Sequence, residues 1–199
     1  MTEPRPSDSP AGAWFAALDS VLGPLSAAAT GAGVIALKRQ GESSLDEFAW
    51  HLEAALGERV EHRPDRFAVL QVELDEYFAG ARTRFDASVD LRLVRGFARL
   101  VLEATLAIPY GSRATYGELA AEAGSPGAAR AAGTAQARSP MIILVPCHRV
   151  VPAGGGIGGY GGGEDVKAFL LELERTTLGS RARTVGLTRG SRYRTGGSR

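Results

Sequence analysis

Apolar positions along this chain fall into blocks of different period. Leu45 to Leu56 (LDEFAWHLEAAL) sets Phe48, Leu52 and Leu56 four apart behind the start signal Ser43-Ser44, which predicts a helix. Phe67 to Ala79, with Val69, Leu70, Val72, Leu74, Tyr77 and Phe78, reads as a second helix. Leu91 to Ile108 is a long apolar-striped helical segment closed by Pro109-Tyr110-Gly111. Between them, Thr83 to Val89 is polar and alternating, an extended connection. A last striped block, Glu164 to Thr176, places Val166, Phe169, Leu170 and Leu173 on one face. Ser20 to Leu37 is 18 residues without a charge, nearly membrane length. Gly23, Pro24, Gly31 and Gly33 interrupt it, so a hairpin fits better: a strand near Val21–Ala29, a turn at Thr30–Gly33 and a strand at Val34–Lys38.

The segment after Gly111 is built differently. Thr115-Tyr116-Gly117-Glu118 has the form of a capping box opening a short helix through Ala123. Gly124-Ser125-Pro126 makes a turn and puts proline at the start of the next helix, Gly127 to Arg138. Two short helices joined by a glycine-containing turn form a helix-turn-helix pattern. The second helix is nearly all small side chains around Arg130, the composition of a helix that approaches another surface closely. Ile142 to Val145 is a buried strand-like run that delivers Pro146-Cys147-His148-Arg149, and a glycine-rich loop, Gly154 to Gly163, follows.

Composition narrows the class. The chain has 199 residues, 44% hydrophobic and 23% charged, enough to bury a core. The net charge of +1 conceals an asymmetry. Residues 1–90 carry 8 basic and 15 acidic side chains, residues 91–179 carry 9 and 7, and residues 180–199 carry six arginines and no acid. The C-terminal half is thus the part suited to a polyanion. We divide the chain into a disordered N-terminus (1–10), an N-terminal α/β domain (11–90), a C-terminal domain (91–179) and a basic flexible tail (180–199). The expected fold class is α+β: a small antiparallel sheet with helices, then a mainly helical, winged-helix-like part holding the helix-turn-helix. The polar, proline-rich start lacks a signal-peptide pattern, so a soluble, cytoplasmic protein with no membrane association is expected.

One cysteine excludes an intrachain disulfide framework and a Cys-rich zinc site, and three histidines complete no ligand set. No metal and no cofactor are expected. A lone cysteine is often a small buried hydrophobe. Cys147, however, sits where Pro146 breaks a strand-like run, is followed at once by His148 and Arg149, and lies beside the glycine-rich loop. That context suits a thiolate nucleophile with a neighbouring base.

Pro146-Cys147-His148-Arg149-Val150 resembles the active-site signature of the O6-alkylguanine-DNA alkyltransferases, the methylated-DNA–protein-cysteine methyltransferases. Ile108 to Gly111, Thr115 to Ala120, Ala128 to Ala131 and Tyr160 to Leu171 follow in the family's order, so the strong similarity spans about residues 91–176. The N-terminal half is similar only through Leu74 to Gly80 and the preceding hairpin. The resemblance implies stoichiometric transfer of a methyl or other alkyl group from O6 of guanine in double-stranded DNA, with O4 of thymine as a second target, to Cys147. His148 would be general base through a water, Glu174 would orient the imidazole, and Tyr116 would donate to the leaving guanine. Arg130 would enter the duplex in place of the extruded base, with Ala129, Ala131 and Gly133 letting the helix sit close in the minor groove. Backbone groups of Cys147, Val150 and Gly161 would read the guanine edge. Tyr160 would wall the pocket and Lys167 would lie near it. Ser139 stands where the family has asparagine, a shorter tie between the helix-turn-helix and the active-site loop. A monomer is expected, with cooperative assembly on DNA left open.

Three other readings compete: a nucleotide-binding enzyme, a lesion sensor, and a cysteine hydrolase, which would turn over ester substrates beyond one equivalent. Gly154 to Gly159 formally matches a dinucleotide-binding fingerprint. Too little chain follows for a second parallel strand and its crossover. A non-catalytic lesion sensor on the same scaffold would lack the cysteine, and Cys147 is present.

Overall fold

The computed structural model describes residues 12–41 and 43–190, with side chains described as far as Ser180. The expected disorder of residues 1–10 and the last stretch of the basic tail, 191–199, lie outside the described residues. A four-stranded sheet forms first: β1 (Ala13–Leu18), β2 (Leu25–Thr30), β3 (Gly33–Arg39) and β4 (Val60–His62), in the order β3-β2-β1-β4. The hairpin falls where expected, though its first strand begins at Leu25, after Gly23 and Pro24. The sheet is mixed and not purely antiparallel, because β4 runs parallel to β1 after a helical crossover. That crossover helix, α1 (Leu45–Leu56), has the predicted bounds; Ser44 accepts from the Glu47 amide at its start, and Gly57 closes it at φ +74°.

Both faces of this sheet are covered. Ala13, Phe15 and Ile35 pack with Leu52 of α1. Ala16, Leu18 and Leu37 pack with Leu70, Leu74 and Tyr77 of α2 (Ala68–Phe78) and with Met141 and Val145. A strand apolar on two sides shows no alternation. That is why β1 had no sequence signal of its own, and why the uncharged stretch looked long enough for a membrane. No helix among the described residues is long and apolar enough to cross a membrane.

The segment joining the halves is pinned by a buried carboxylate. Glu73, 3% exposed, accepts from the amides of Asp86 and Ala87 and pairs with Arg82. The chain then covers the free edge of β3, through Val34 to Ser88 and Asp90, while Leu37 pairs with Pro140 and Ile142. Helix α3 (Gly96–Leu106) starts later than the apolar stripe suggested. A two-stranded parallel ladder pairs β5 (Ala114–Thr115) with β6 (Val150–Val151). It sets the start of α4 (Tyr116–Glu122) beside the cysteine segment. Helix α5 (Ala129–Ala137) completes the helix-turn-helix, but Pro126 lies in the turn between Gly124 and Gly127, both at positive φ, and not at the helix start. Helix α6 (Glu164–Gly190) runs past Thr176, so the backbone of residues 180–190 is helical where a flexible tail was expected. Arginine propagates a helix well, and no proline stops this one.

The expected strand at Ile142–Val145 is not one. Leu144 bonds back to Ile142 across Ile143, which sits at φ +67°, and Cys147 bonds back to Val145 across Pro146. These are two tight γ-type turns. A β-branched residue at positive φ costs about 1–3 kcal/mol and persists only when its surroundings over-determine it. Ile143 is 2% exposed inside the main core, which supplies that constraint.

The capping box of α4 forms as predicted: Glu118 donates its amide to Thr115 Oγ1, and Thr115 donates its amide to Glu118 Oε2. Thr115→Ala is expected to lower stability by about 1 kcal/mol in urea denaturation, with Thr115→Ser close to wild type.

Candidate active site

Cys147 opens a single 3-10 turn (Cys147–Arg149) directly after the two tight turns. It is 3% exposed and is a free thiol. Burial pushes its pKa up to about 12, opposed by a hydrogen bond from the Ser139 hydroxyl, by its own amide and by the charge of Lys167. The sequence pointed to a cysteine with a lowered pKa. The enclosed site instead holds a neutral thiol, because desolvation outweighs the nearby positive charge.

His148 is fully buried. Its Nε2 lies 2.8 Å from Glu174 Oε1, and its Nδ1 is buried with no hydrogen-bond partner among the described residues. An Nε2–H held by a carboxylate leaves Nδ1 as an unprotonated acceptor. Burial lowers the histidine pKa, with Glu174 pulling the other way. A vacant buried lone pair one residue from the thiol is the arrangement a general base needs.

Glu174, on α6, is 1% exposed and accepts from an unusual number of donors. These are Tyr77 Oη at 2.9 Å, Arg149 Nε and Nη2 at 2.8 to 3.1 Å, the Gly111 amide at 2.8 Å and His148. Burial alone would raise its pKa, yet the hydrogen bonds from His148 and Arg149 hold it at about 2. Arg149 also donates to the Ile108 carbonyl at 2.7 Å and lies over the Tyr110 ring. Arg149 and Tyr77 are functional neighbours that the sequence reading did not assign. Arg149 stands inside the cysteine motif and Tyr77 inside Leu74–Gly80, so both lay in the segments that carried the resemblance.

The other predicted residues gather on the opposite side of the thiol. Lys167 is fully buried, and its Nζ donates to the Val150 carbonyl at 2.6 Å and to the Gly159 carbonyl at 3.4 Å. The Tyr116 hydroxyl lies 3.5 Å from the Gly159 carbonyl. Burial raises its pKa, and a Cys147 thiolate would raise it further, so it stays a donor. Tyr160 sets its ring edge-on to His148, with its hydroxyl buried and its pKa raised for the same two reasons. Gly158 sits at φ +72°, where a Cβ would meet the Pro152 ring at 2.9 Å and the Tyr116 hydroxyl at 3.1 Å. Only glycine lets the loop close this tightly. Gly161 is exposed beside the Ala137 carbonyl. Ser139 lies against the cysteine segment. It turns back on Met141, donating to its carbonyl at 3.1 Å.

On α5, Arg130 and Ala131 are exposed and Ala129 is half-buried. Gly133 instead faces the Tyr116 ring, which lies 3.7 Å from where its Cβ would be. A Cβ there would make ordinary contact with the ring.

Fold and site together define a two-part α+β protein in which a helix-turn-helix flanks a buried cysteine served by a histidine and a carboxylate. Two family models divide the chain between them. The ribonuclease-like domain of 6-O-methylguanine DNA methyltransferase matches residues 14–91, and the DNA binding domain of the same family matches residues 96–176. The chain belongs to the 6-O-methylguanine DNA methyltransferase family. It is 41% identical over 162 residues to a methylated-DNA–protein-cysteine methyltransferase of Mycobacterium tuberculosis, a match covering 81% of this chain and 92% of the relative. A crystal structure of Mycobacterium tuberculosis OGT in complex with DNA superposes with a TM-score of 0.72 at 40% identity, covering 82% of this chain and 94% of that one. The O6-methylguanine-DNA methyltransferase of the hyperthermophilic archaeon Pyrococcus kodakaraensis superposes at 0.56 and 26% identity, covering 81% and 98%.

The buried relay makes the fold acid-sensitive. Glu174 has a folded-state pKa below its unfolded value, so its stabilisation is complete above about pH 4.5 and is lost as pH falls toward about 2. His148 is held neutral, so acidification below about pH 6.5 also favours the unfolded chain. Urea denaturation is expected to show stability falling in two steps, first below neutrality and then more steeply under acid conditions. In Glu174→Gln the second step is expected to shrink.

Proposed function

We propose that this chain repairs alkylated DNA by moving a methyl or other alkyl group from O6 of guanine to Cys147 in a single irreversible event. The observation that carries this reading is the buried His148–Glu174 pair, 2.8 Å apart, whose Nδ1 has no partner among the described residues, one residue along the chain from a thiol too weakly acidic to ionise alone. His148 Nδ1 takes the thiol proton through a water, while Glu174 keeps Nε2 protonated and stabilises the imidazolium. The Cys147 thiolate attacks the alkyl carbon in line with the C–O6 bond. A C–S bond forms, the C–O bond breaks, and its electron pair leaves with the guanine. Tyr116, still a donor at neutral pH, offers its proton to that leaving group. Lys167 supports the thiolate electrostatically. The thioether product is inert to water, so each chain acts once.

DNA is reached from the helix-turn-helix. Arg130 stands exposed on a helix whose neighbouring residues are small, which suits entry into a duplex from which a base has been turned out. A similar protein, Mycobacterium tuberculosis OGT, has been crystallised in complex with DNA, which supports DNA as the partner. The Cys147, Val150 and Gly161 backbone then reads the guanine edge, with Tyr160 as a pocket wall. Ser139 sits between the two regions. The C-terminal part, about residues 91–179, carries both tasks, and the chain acts on the duplex as a monomer.

Mass spectrometry after incubation with a methylguanine duplex is expected to show one methyl per chain on Cys147, and none in Cys147→Ser. Binding without a mass change would mark a lesion sensor and defeat the proposal. Tyr116→Phe is expected to slow single-turnover transfer by about 10²-fold. Arg130→Ala is expected to slow transfer from a duplex by at least about tenfold and to spare transfer from the free methylated base, since only the duplex requires extrusion.

A further inference from the structure

The relay is completed from outside the C-terminal half. Tyr77 belongs to α2, is 1% exposed, and donates to Glu174 Oε1, the same oxygen that holds His148 Nε2. Its own oxygen lies 3.5 Å from Nε2, too far to compete with Glu174 at 2.8 Å for the imidazole proton. The ring is fixed by contacts to Phe78, Phe85 and Tyr110, with centroids 5.2 to 5.9 Å away. Burial, and then the Glu174 charge, keep the hydroxyl protonated, so it remains a donor wherever the reaction runs.

We propose that Tyr77 is a positioning residue for the transfer reaction: by sharing the Glu174 oxygen with the imidazole, its hydroxyl weakens the carboxylate's hold on protonated His148 and so keeps that histidine available as a base. This rests on the transfer reading above. A carboxylate that gives part of its lone-pair density to a phenol has less to offer the imidazolium. Without the phenol, the same oxygen would bind Nε2–H more strongly, and His148 would hold its proton to higher pH. Other groups face this pair from every side and stay in place when the hydroxyl is removed. They are Arg149 and Cys147 on the 3-10 turn, Tyr110 and the Gly111 amide after α3, Tyr160 on the glycine loop, and Lys167 on α6.

The test is single-turnover transfer by the full chain from a methylguanine duplex, measured from about pH 5 to about pH 9. Wild type is expected to gain rate with pH as His148 loses its proton. Tyr77→Phe keeps the ring and is expected to move that rise up by about one pH unit, about tenfold slower below it and converging with wild type above it. Replacing Tyr77 by 3-fluorotyrosine, a stronger donor, is expected to move the rise downward, and this arm decides the question if the phenylalanine variant does not fold. Phe85→Leu disturbs the same aromatic cluster but keeps the hydroxyl. It is expected to lower Tm without moving the rise. A pH profile that stays put in both Tyr77 variants, or a uniform loss at every pH in Tyr77→Phe, makes the residue a packing element and overturns the inference. Absence of methyl transfer in wild type overturns the functional reading itself, so the two failures are told apart in one experiment.

Discussion

A carboxylate with 1% exposure organises this molecule. Burying an unpaired carboxylate costs several kcal/mol, so Glu174 can remain charged only if donors reach it from all sides. They arrive from three separate stretches of chain, α2 through Tyr77, the turn after α3 through Gly111, and the cysteine turn through His148 and Arg149, and meet the glutamate on α6. Each donor is displaced if its own element shifts. The site therefore cannot be assembled by the cysteine segment alone. It depends on a core that runs from Leu18 and Leu37 of the sheet to Val145, Cys147 and Leu170.

The electrostatics of the two reacting groups follow from the same enclosure. Desolvation raises the thiol and lowers the histidine, so the resting pair is neutral on both sides. A resting thiolate would be exposed to oxidation and to stray electrophiles. A neutral thiol beside a neutral base stores the same nucleophile in an inert form, released by one proton transfer when an acceptor for the electron pair is in place. For the single transfer proposed above, that restraint matters more than speed.

Much of this was legible in the sequence, and the gaps have physical causes. The capping box at Thr115, the helix at Leu45–Leu56 and the hairpin are local features, set by side chains within a few residues, and they appear where the pattern puts them. Strand β1 left no trace because both its faces are buried and its alanines carry little strand preference. Ile142–Val145 has the composition of a strand, yet the core holds it in tight turns that no local propensity would favour. At the site, His148, Glu174 and Lys167 could be named through the family resemblance. That Arg149 and Tyr77 share the glutamate could not, because those contacts join residues up to 97 positions apart.

The strained turns explain how recognition and chemistry are held at one distance. Cys147 is tied forward by the β5–β6 ladder, which aligns Thr115 with Val151 and so places Tyr116, the first residue of α4, against the glycine loop. It is tied backward through Met141, whose backbone bonds to Ser139 just after α5. An extended strand of the same length would carry the thiol several ångströms farther from α5, since each residue of extended chain advances about 3.3 Å. Folding Ile142–Pro146 into two turns shortens that path and keeps the turn bearing Cys147 close behind α5. The positive φ at Ile143 is thus the conformational cost of the short path between α5 and the cysteine turn.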